Sequence, residues 1–307
     1  MQGRIPVSIV GGFLGAGKTT LVNHLIQKGG RRFGVVVNEF GETGIDASLI
    51  ENVDTDGIAE LTNGCLCCVG REDLVSALFK LLGRRPEHIL IELSGLADPV
   101  PVAQAVLDPF ARPHFELDGI IGVADARNLA RTLQDNPEGA VQLAYASVVV
   151  LNKTDLAPPE ALTEAEALLR QTNPLAPLYP AVRGQVPPER LLGLRAFALD
   201  WQPKAHPHHH TPGLQTFTLR AEGLLERPKV NAFIDQYLIA RPNAVYRAKG
   251  YLSVRGFAQQ VLFQSVREIF SLEMSKRPAE APSELVVIGR NLDPGEYEAA
   301  FQALRQA

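Results

Sequence analysis

"IPVSIVGGFLGAGKTT", residues 5–20, decides the fold. It begins as a strand-like run of six residues, all but Ser8 apolar, and passes through glycines at positions 11, 12, 15 and 17. It continues into TTLVNHLIQ, whose apolar residues recur at helical spacing. Gly12, Gly17, Lys18 and Thr19 complete the pattern GxxxxGK[ST] between that strand and that helix. The backbone amides of such a loop, here Gly12, Gly15, Ala16, Gly17, Lys18, Thr19 and Thr20, cradle phosphates, because unpaired N–H groups and the helix dipole favour negative charge. The lysine reaches the β- and γ-phosphates, and the threonine hydroxyl binds Mg²⁺.

Outward from this loop, short β-rich apolar runs alternate with helical patterns. Strands are expected at Ile5–Val10, Gly34–Asn38, His88–Glu92, Gly119–Ala124 and Ser147–Leu151. Helices are expected at Thr19–Gln27, Glu72–Leu82, Pro99–Leu107, Ala126–Leu133 and Pro159–Arg170. Runs such as IGVAD and SVVVLN are apolar without alternation, which suits a parallel sheet covered on both faces. The expectation is a doubly wound, mainly parallel α/β domain over residues 1–200, a Pro/His-rich linker over 201–213, and a smaller α+β domain over 214–307. In the last, LQTFTLR, AVYRAKGYLSV and SELVVIGR read as strands, and RPKVNAFIDQYL and PGEYEAAFQALRQ as helices.

Two further segments bear on the nucleotide. VVVLNKTDLA ends an apolar strand in Asn152, Lys153 and Asp155. An aspartate can accept two hydrogen bonds from the N1–H and 2-amino group of guanine, a pair that adenine does not offer. The lysine stem lies over the base and the asparagine braces the loop. The expected nucleotide is therefore GTP or GDP. In ILIELSGLADP, Glu92 ends a strand, where a carboxylate holds Mg²⁺ through water, and the Gly95 N–H can meet the γ-phosphate.

Composition narrows the partners. The formal charge of −4 and the absence of any run of five like charges disfavour nucleic-acid binding. No apolar stretch of about 18 residues exists to span a membrane, and MQGRIPVSIVGGFLGAGK does not read as a secretory signal. All three cysteines of the 307-residue chain fall in NGCLCC, at Cys65, Cys67 and Cys68. Adjacent cysteines pair poorly because disulfide geometry wants a wider Cα separation. An odd, bunched set suits a reducing cytoplasm, and metal ligation or thiol redox chemistry remains.

GGFLGAGKTT, NEFGETGID, TNGCLCC, ELSGLADP and NKTD, in this order, resemble the CobW family of P-loop GTPases, relatives of the nickel-insertion GTPases for urease and hydrogenase. The resemblance covers about residues 4–155 with specific motifs. It implies slow GTP hydrolysis coupled to delivery of Zn²⁺ or Co²⁺ to a client metalloprotein, and it makes Cys65, Cys67 and Cys68 the site of the transferred metal. Thiolate chemistry agrees, and three ligands with an open fourth position suit an ion to be handed on. The alternative is a two-thiolate site completed by Glu39, Glu42 or a histidine. NEFGETGID, with Glu39, Glu42 and Asp46, resembles the first switch segment, and Asp46 is the candidate for orienting water or Mg²⁺. Lys18, Thr19, Asp46 and Glu92 form the expected catalytic set. Relatives form nucleotide-dependent dimers, so a homodimer is expected.

Four of the seven histidines lie in the linker: His206, His208, His209 and His210. They read either as a metal reservoir or as a solvated loop. His114 reads as a surface residue, with the metal site as the alternative. Competing functions are a thiol redox switch gated by nucleotide, a P-loop phosphotransferase acting on a small molecule, and an activator dedicated to one enzyme such as nitrile hydratase. Guanine selectivity without an acceptor argues against the phosphotransferase.

Overall fold

A computed structural model describes residues 3–38, 58–61, 71–95, 97–196, 209–211 and 214–305. The chain divides into two compact units, Met1–Ala167 with Ala176–Ala196, and Leu168–Leu175 with Phe197–Ala307.

The first unit is built on a seven-stranded sheet in which every pairing is parallel. Its strands are β1 (Ile5–Gly12), β2 (Phe33–Asn38), β3 (Ile58–Leu61), β4 (His88–Glu92), β5 (Phe115–Asp125), β6 (Val148–Asn152) and β7 (Leu178–Pro180). Their order is β3-β2-β4-β1-β5-β6-β7. Helices α1 (Lys18–Lys28), α2 (Arg71–Leu82), α3 (Pro99–Val106), α4 (Leu129–Asp135), α5 (Pro137–Tyr145) and α6 (Pro159–Thr172) follow in chain order. Every residue of β4 and β6 is buried, as unbroken apolar runs require when helices cover both faces. Leu21, Val22 and Leu25 of α1 pack onto Val10, Val123 and Val150. Progression reverses at β1: β2, β3 and β4 lie to one side, β5 to β7 to the other. Open α/β sheets bind ligands beyond the carboxyl ends of strands at such a switch point, and here that is where residues 12–19 sit.

Most expected elements recur within a few residues of their expected bounds. One start differs for a visible reason. A helix was expected from Ala126, but α4 begins at Leu129 because the Asp125 carboxylate accepts from the Arg127 N–H (3.0 Å) and from Asn128 Nδ2 (3.2 Å), holding that stretch as a turn. The sequence reading did not assign β3, α5 or β7, which are short or lack clear periodicity.

The second unit carries a six-stranded antiparallel sheet: β8 (His209–Thr211), β9 (Leu214–Ala221), β10 (Val245–Leu252), β11 (Gln259–Val266), β12 (Ile269–Pro278) and β13 (Ser283–Gly289), in the order β12-β11-β10-β13-β9-β8. Helices α7 (Arg227–Phe233) and α8 (Pro294–Gln302) cover one face through Phe233, Tyr297 and Phe301 packed on Phe217 and Val287. A π-helical segment, Ile234–Ile239, extends α7, and Tyr297 donates to the Tyr237 carbonyl (2.9 Å) across the pair. Asp293 caps α8 by accepting from Gly295 N (2.9 Å) and Glu296 N (3.3 Å). The β11–β12 hairpin turns at Arg267 (φ 49°) and was not anticipated. The expected linker over 201–213 is corrected in part: His209–Thr211 is a strand paired with β9, because its backbone groups complete the sheet edge.

Candidate functional site

The phosphate loop takes its shape from glycines at two places where other residues would fail. Gly12 has φ 143°, and a Cβ there would overlap the Val123 carbonyl oxygen of β5. Gly17 has φ 100°, and a Cβ there would overlap Asn152 Nδ2. Both positions need the left-handed backbone and the missing side chain together. Gly17 is the N-cap of α1 and, having no side chain, makes no side-chain cap bond to that helix, so the loop enters α1 on its backbone alone.

Lys18 is buried and donates to the Phe13 carbonyl (3.1 Å), which folds its ammonium back along the loop. Thr19 Oγ1 donates to Glu92 Oε1 at 2.6 Å. Glu92 is buried at the end of β4, in register with Val10 of β1 and Val37 of β2. A hydroxyl and a carboxylate so joined are hard oxygen donors of the kind Mg²⁺ takes beside phosphates. The Gly95 segment packs on the loop from the same side. A Cβ at Gly95 would lie 2.6 Å from Leu14 N, and Gln142 Nε2 of α5 donates to the carbonyls of Gly95 (3.4 Å) and Ala97 (3.0 Å).

Across the loop, Asn152 ends β6 and is 2% exposed. Its Nδ2 donates to the Ala16 carbonyl (3.0 Å), and its Oδ1 accepts from Gly184 N (2.8 Å). One side chain therefore ties the phosphate loop to the loop that follows β7. Lys153 adopts φ 61° and sends its ammonium across the Gly15 carbonyl, to which it donates, and onto Asp125 Oδ2 at 2.7 Å. Burial opposes ionisation of Asp125. Hydrogen bonds from Lys153 and Asn128 and the Lys153 charge outweigh it, holding the carboxyl below its ordinary value. Asp155 is exposed in the turn Thr154–Leu156, with Val182, 40% exposed, in the loop following β7.

The structure thus brings Gly12, Gly15, Ala16, Gly17, Lys18, Thr19, Thr20, Glu92, Gly95, Asn152, Lys153 and Asp155 to the carboxyl edge of one sheet. Asp125 and Gln142 belong to the same constellation and were missed. For Asp125 a signal existed: IGVAD ends an apolar strand in an acid, as ILIE does. Glu39, Glu42, Asp46, Cys65, Cys67, Cys68, His206 and His208 lie outside the described residues. Among those described, no group of three or more His, Cys, Asp and Glu is arranged to hold a metal. His114 is exposed just before β5, and its ring stands edge-on to Phe79 at 5.4 Å. It precedes the amino end of that strand, opposite the phosphate loop. No helix among the described residues is long and apolar enough to cross a membrane.

Comparison with known proteins agrees with this geometry. Residues 6–180 match the family described as CobW/HypB/UreG, nucleotide-binding domain, and residues 214–305 match the cobalamin synthesis protein CobW C-terminal domain. The chain is 35% identical to the zinc chaperone CobW of Pseudomonas aeruginosa over 335 residues, covering 94% of this chain and 88% of that protein. It is 29% identical to the zinc-regulated GTPase metalloprotein activator 1 of Schizosaccharomyces pombe over 347 residues, covering 94% of this chain and 83% of that one. Among solved structures, Zn(II)-bound YjiA GTPase from E. coli superimposes with a TM-score of 0.80 at 26% identity, covering 99% of this chain and 100% of that one.

Proposed function

The chain belongs to the CobW/HypB/UreG family, and on that premise we propose that it is a GTP-hydrolysing metallochaperone that binds Zn²⁺ through Cys65, Cys67 and Cys68 and hands it to a client metalloprotein. The relatives named zinc chaperone and zinc-regulated GTPase metalloprotein activator favour zinc as the cargo over Co²⁺. In this reading residues 12–20 hold the phosphates of GTP, and Lys18 offsets negative charge that builds as the terminal phosphoryl group leaves for water. Thr19 and Glu92 hold Mg²⁺, which when bound neutralises phosphate charge. Asp155 reads the guanine edge, Lys153 lies under the base, and Asn152 keeps both loops in place.

The observation that carries the coupling is the strand register at the carboxyl edge. Val37 pairs with Glu92, and Asn38 pairs with Leu61 at the end of β3. The chain leading to Cys65 therefore starts two strands, about 10 Å, from the Mg²⁺ carboxylate. Four residues later comes Cys65, within a reach of about 13 Å. The segment bearing Glu39, Glu42 and Asp46 leaves β2 one strand away from Glu92. With Glu92 as the Mg²⁺ carboxylate, both segments would begin within one or two strands of the end of the nucleotide that hydrolysis removes. GTP and GDP then favour different ligand arrangements, and by linkage the metal must change nucleotide affinity by the same factor.

The test is a titration of metal-free protein with Zn²⁺ and with Co²⁺ against a competing chelator. It is run with Mg²⁺ plus a non-hydrolysable GTP analogue and again with Mg²⁺-GDP. The expected result is cysteine-dependent affinity that differs between nucleotides by about tenfold. Equal affinities in the two states would separate the thiols from the GTPase and defeat the proposal.

A further inference from the structure

We propose that Asp125 is a positioning residue for base binding: its carboxylate anchors the Lys153 ammonium so that the lysine stem is presented, already extended, as the platform beneath guanine. The proposal rests on the guanine-nucleotide reading of Asn152, Lys153 and Asp155. Asp125 ends β5 and Asn152 ends β6, paired in register, so Asp125 and Lys153 leave neighbouring strands at the same level. The left-handed backbone at Lys153 (φ 61°) turns its side chain back over the phosphate loop rather than out to solvent. There the ammonium donates to the Gly15 carbonyl and to Asp125 Oδ2, 2.7 Å away. Lys153 and Asp125 are 28% and 14% exposed, so water screens the pair only partly.

Asp125 is itself held. Arg127 N donates to one carboxylate oxygen (3.0 Å), and Asn128 Nδ2 donates to the oxygen that Lys153 uses (3.2 Å). A lysine fixed at its tip has a stem with few remaining rotamers. A base that lands on it does not have to order it, which lowers the cost of binding. An untethered lysine would be ordered only at the moment of association. The tie also reaches the phosphate loop through Gly15, so the platform and the cradle are set at a fixed separation. Any purine gains from that platform, whereas Asp155 alone distinguishes guanine.

Release of a fluorescent GDP analogue, followed by stopped flow on the full chain, tests this. Asp125→Asn keeps the size but removes the charge, and is expected to speed release about tenfold, the scale of one charged hydrogen bond. Lys153→Met keeps a stem without an ammonium, and in that background Asp125→Asn is expected to change release by less than about twofold. Asp125→Asn that leaves release as in the unsubstituted chain overturns the proposal. The same acceleration in the Lys153→Met background overturns it too, making Asp125 only a cap for the turn before α4. Asp155→Asn separates the two readings, since it is expected to shift preference from guanine to xanthine nucleotides. If Asp155→Asn retains guanine preference, the guanine reading fails. If it switches while Asp125→Asn is inert, the Asp125 proposal alone fails.

Discussion

Replacing Asn152 with alanine tests whether one buried amide holds the two loops of the nucleotide site together. The side chain, 2% exposed, makes two hydrogen bonds, both to backbone groups: the Ala16 carbonyl at 3.0 Å and the Gly184 N–H at 2.8 Å. Ala16 is itself fully buried, and Gly184 is buried as well. Truncation removes both partners and leaves two backbone groups away from solvent, each costing about 1–3 kcal/mol. Where a water reaches one of them the sum falls, so the expected loss is about 2–4 kcal/mol. In urea, at a slope of about 2 kcal/mol per molar, the midpoint should fall by about 1–2 M with the slope unchanged. Asn152→Asp is expected to lose at least as much. It keeps an acceptor for Gly184 but sets a buried carboxylate oxygen against the Ala16 carbonyl. GDP should raise the midpoint of the parent chain more than that of Asn152→Ala, because stabilisation by a ligand follows its affinity for the folded state. A shift of less than about 0.5 kcal/mol in the absence of nucleotide would mean that the two bonds are not needed to hold the loops, and would refute the reasoning.

Other substitutions probe the remaining parts. Glu92→Gln should lower GTP hydrolysis at least about tenfold and raise the Mg²⁺ concentration needed for half-maximal rate; an unchanged Mg²⁺ dependence would remove Glu92 from the site. Gly12→Ala should cost more than about 2 kcal/mol, through backbone strain at φ 143° and overlap with the Val123 carbonyl, whereas Gly3→Ala, with nothing within 4 Å, should be neutral by the same denaturation measurement. His88 is fully buried beside Ser8 and Asp118, and burial pushes its pKa down to about 4 despite the opposing pull of Asp118. Its folded pKa lies below the unfolded value of about 6.5, so the unfolded chain takes up a proton first as pH falls. Stability should therefore drop between about pH 6.5 and 4, by about 3 kcal/mol from this group. His88→Asn should lose that part of the slope, which urea midpoints across the range would reveal.

Legibility in the sequence varied with how local each signal was. The phosphate loop is a contiguous pattern whose glycines answer to backbone geometry, so Gly12 and Gly17 could be assigned before any contact was known. Asn152, Lys153 and Asp155 were legible for the same reason, being adjacent at a strand end. The partnership of Thr19 with Glu92 spans 73 positions, yet each residue was readable because each sits at a recognisable boundary. Gln142 had no such boundary. Nothing in PEGAVQLAY says that one amide reaches the carbonyls of Gly95 and Ala97. Strand β12 was not assigned although Phe270, Leu272 and Met274 alternate with Ser271, Glu273 and Ser275 as a strand requires; only the structure shows that this apolar row is the exposed one, at 42–47%.

The sequence by itself determined the class of the first unit, the glycine-shaped loop between β1 and α1, the strand end that carries Asn152, Lys153 and Asp155, and the membership of a GTPase family. These follow from short-range rules: which residues tolerate a left-handed backbone, which form unbroken apolar strands, and which end them. Only the tertiary structure decided how those pieces act on one another. The order β3-β2-β4-β1-β5-β6-β7 sets Glu92 beside the loop and Asp125 beside Lys153. Such pairings depend on which strands become neighbours, and that is fixed by burial of the whole sheet rather than by any segment of it.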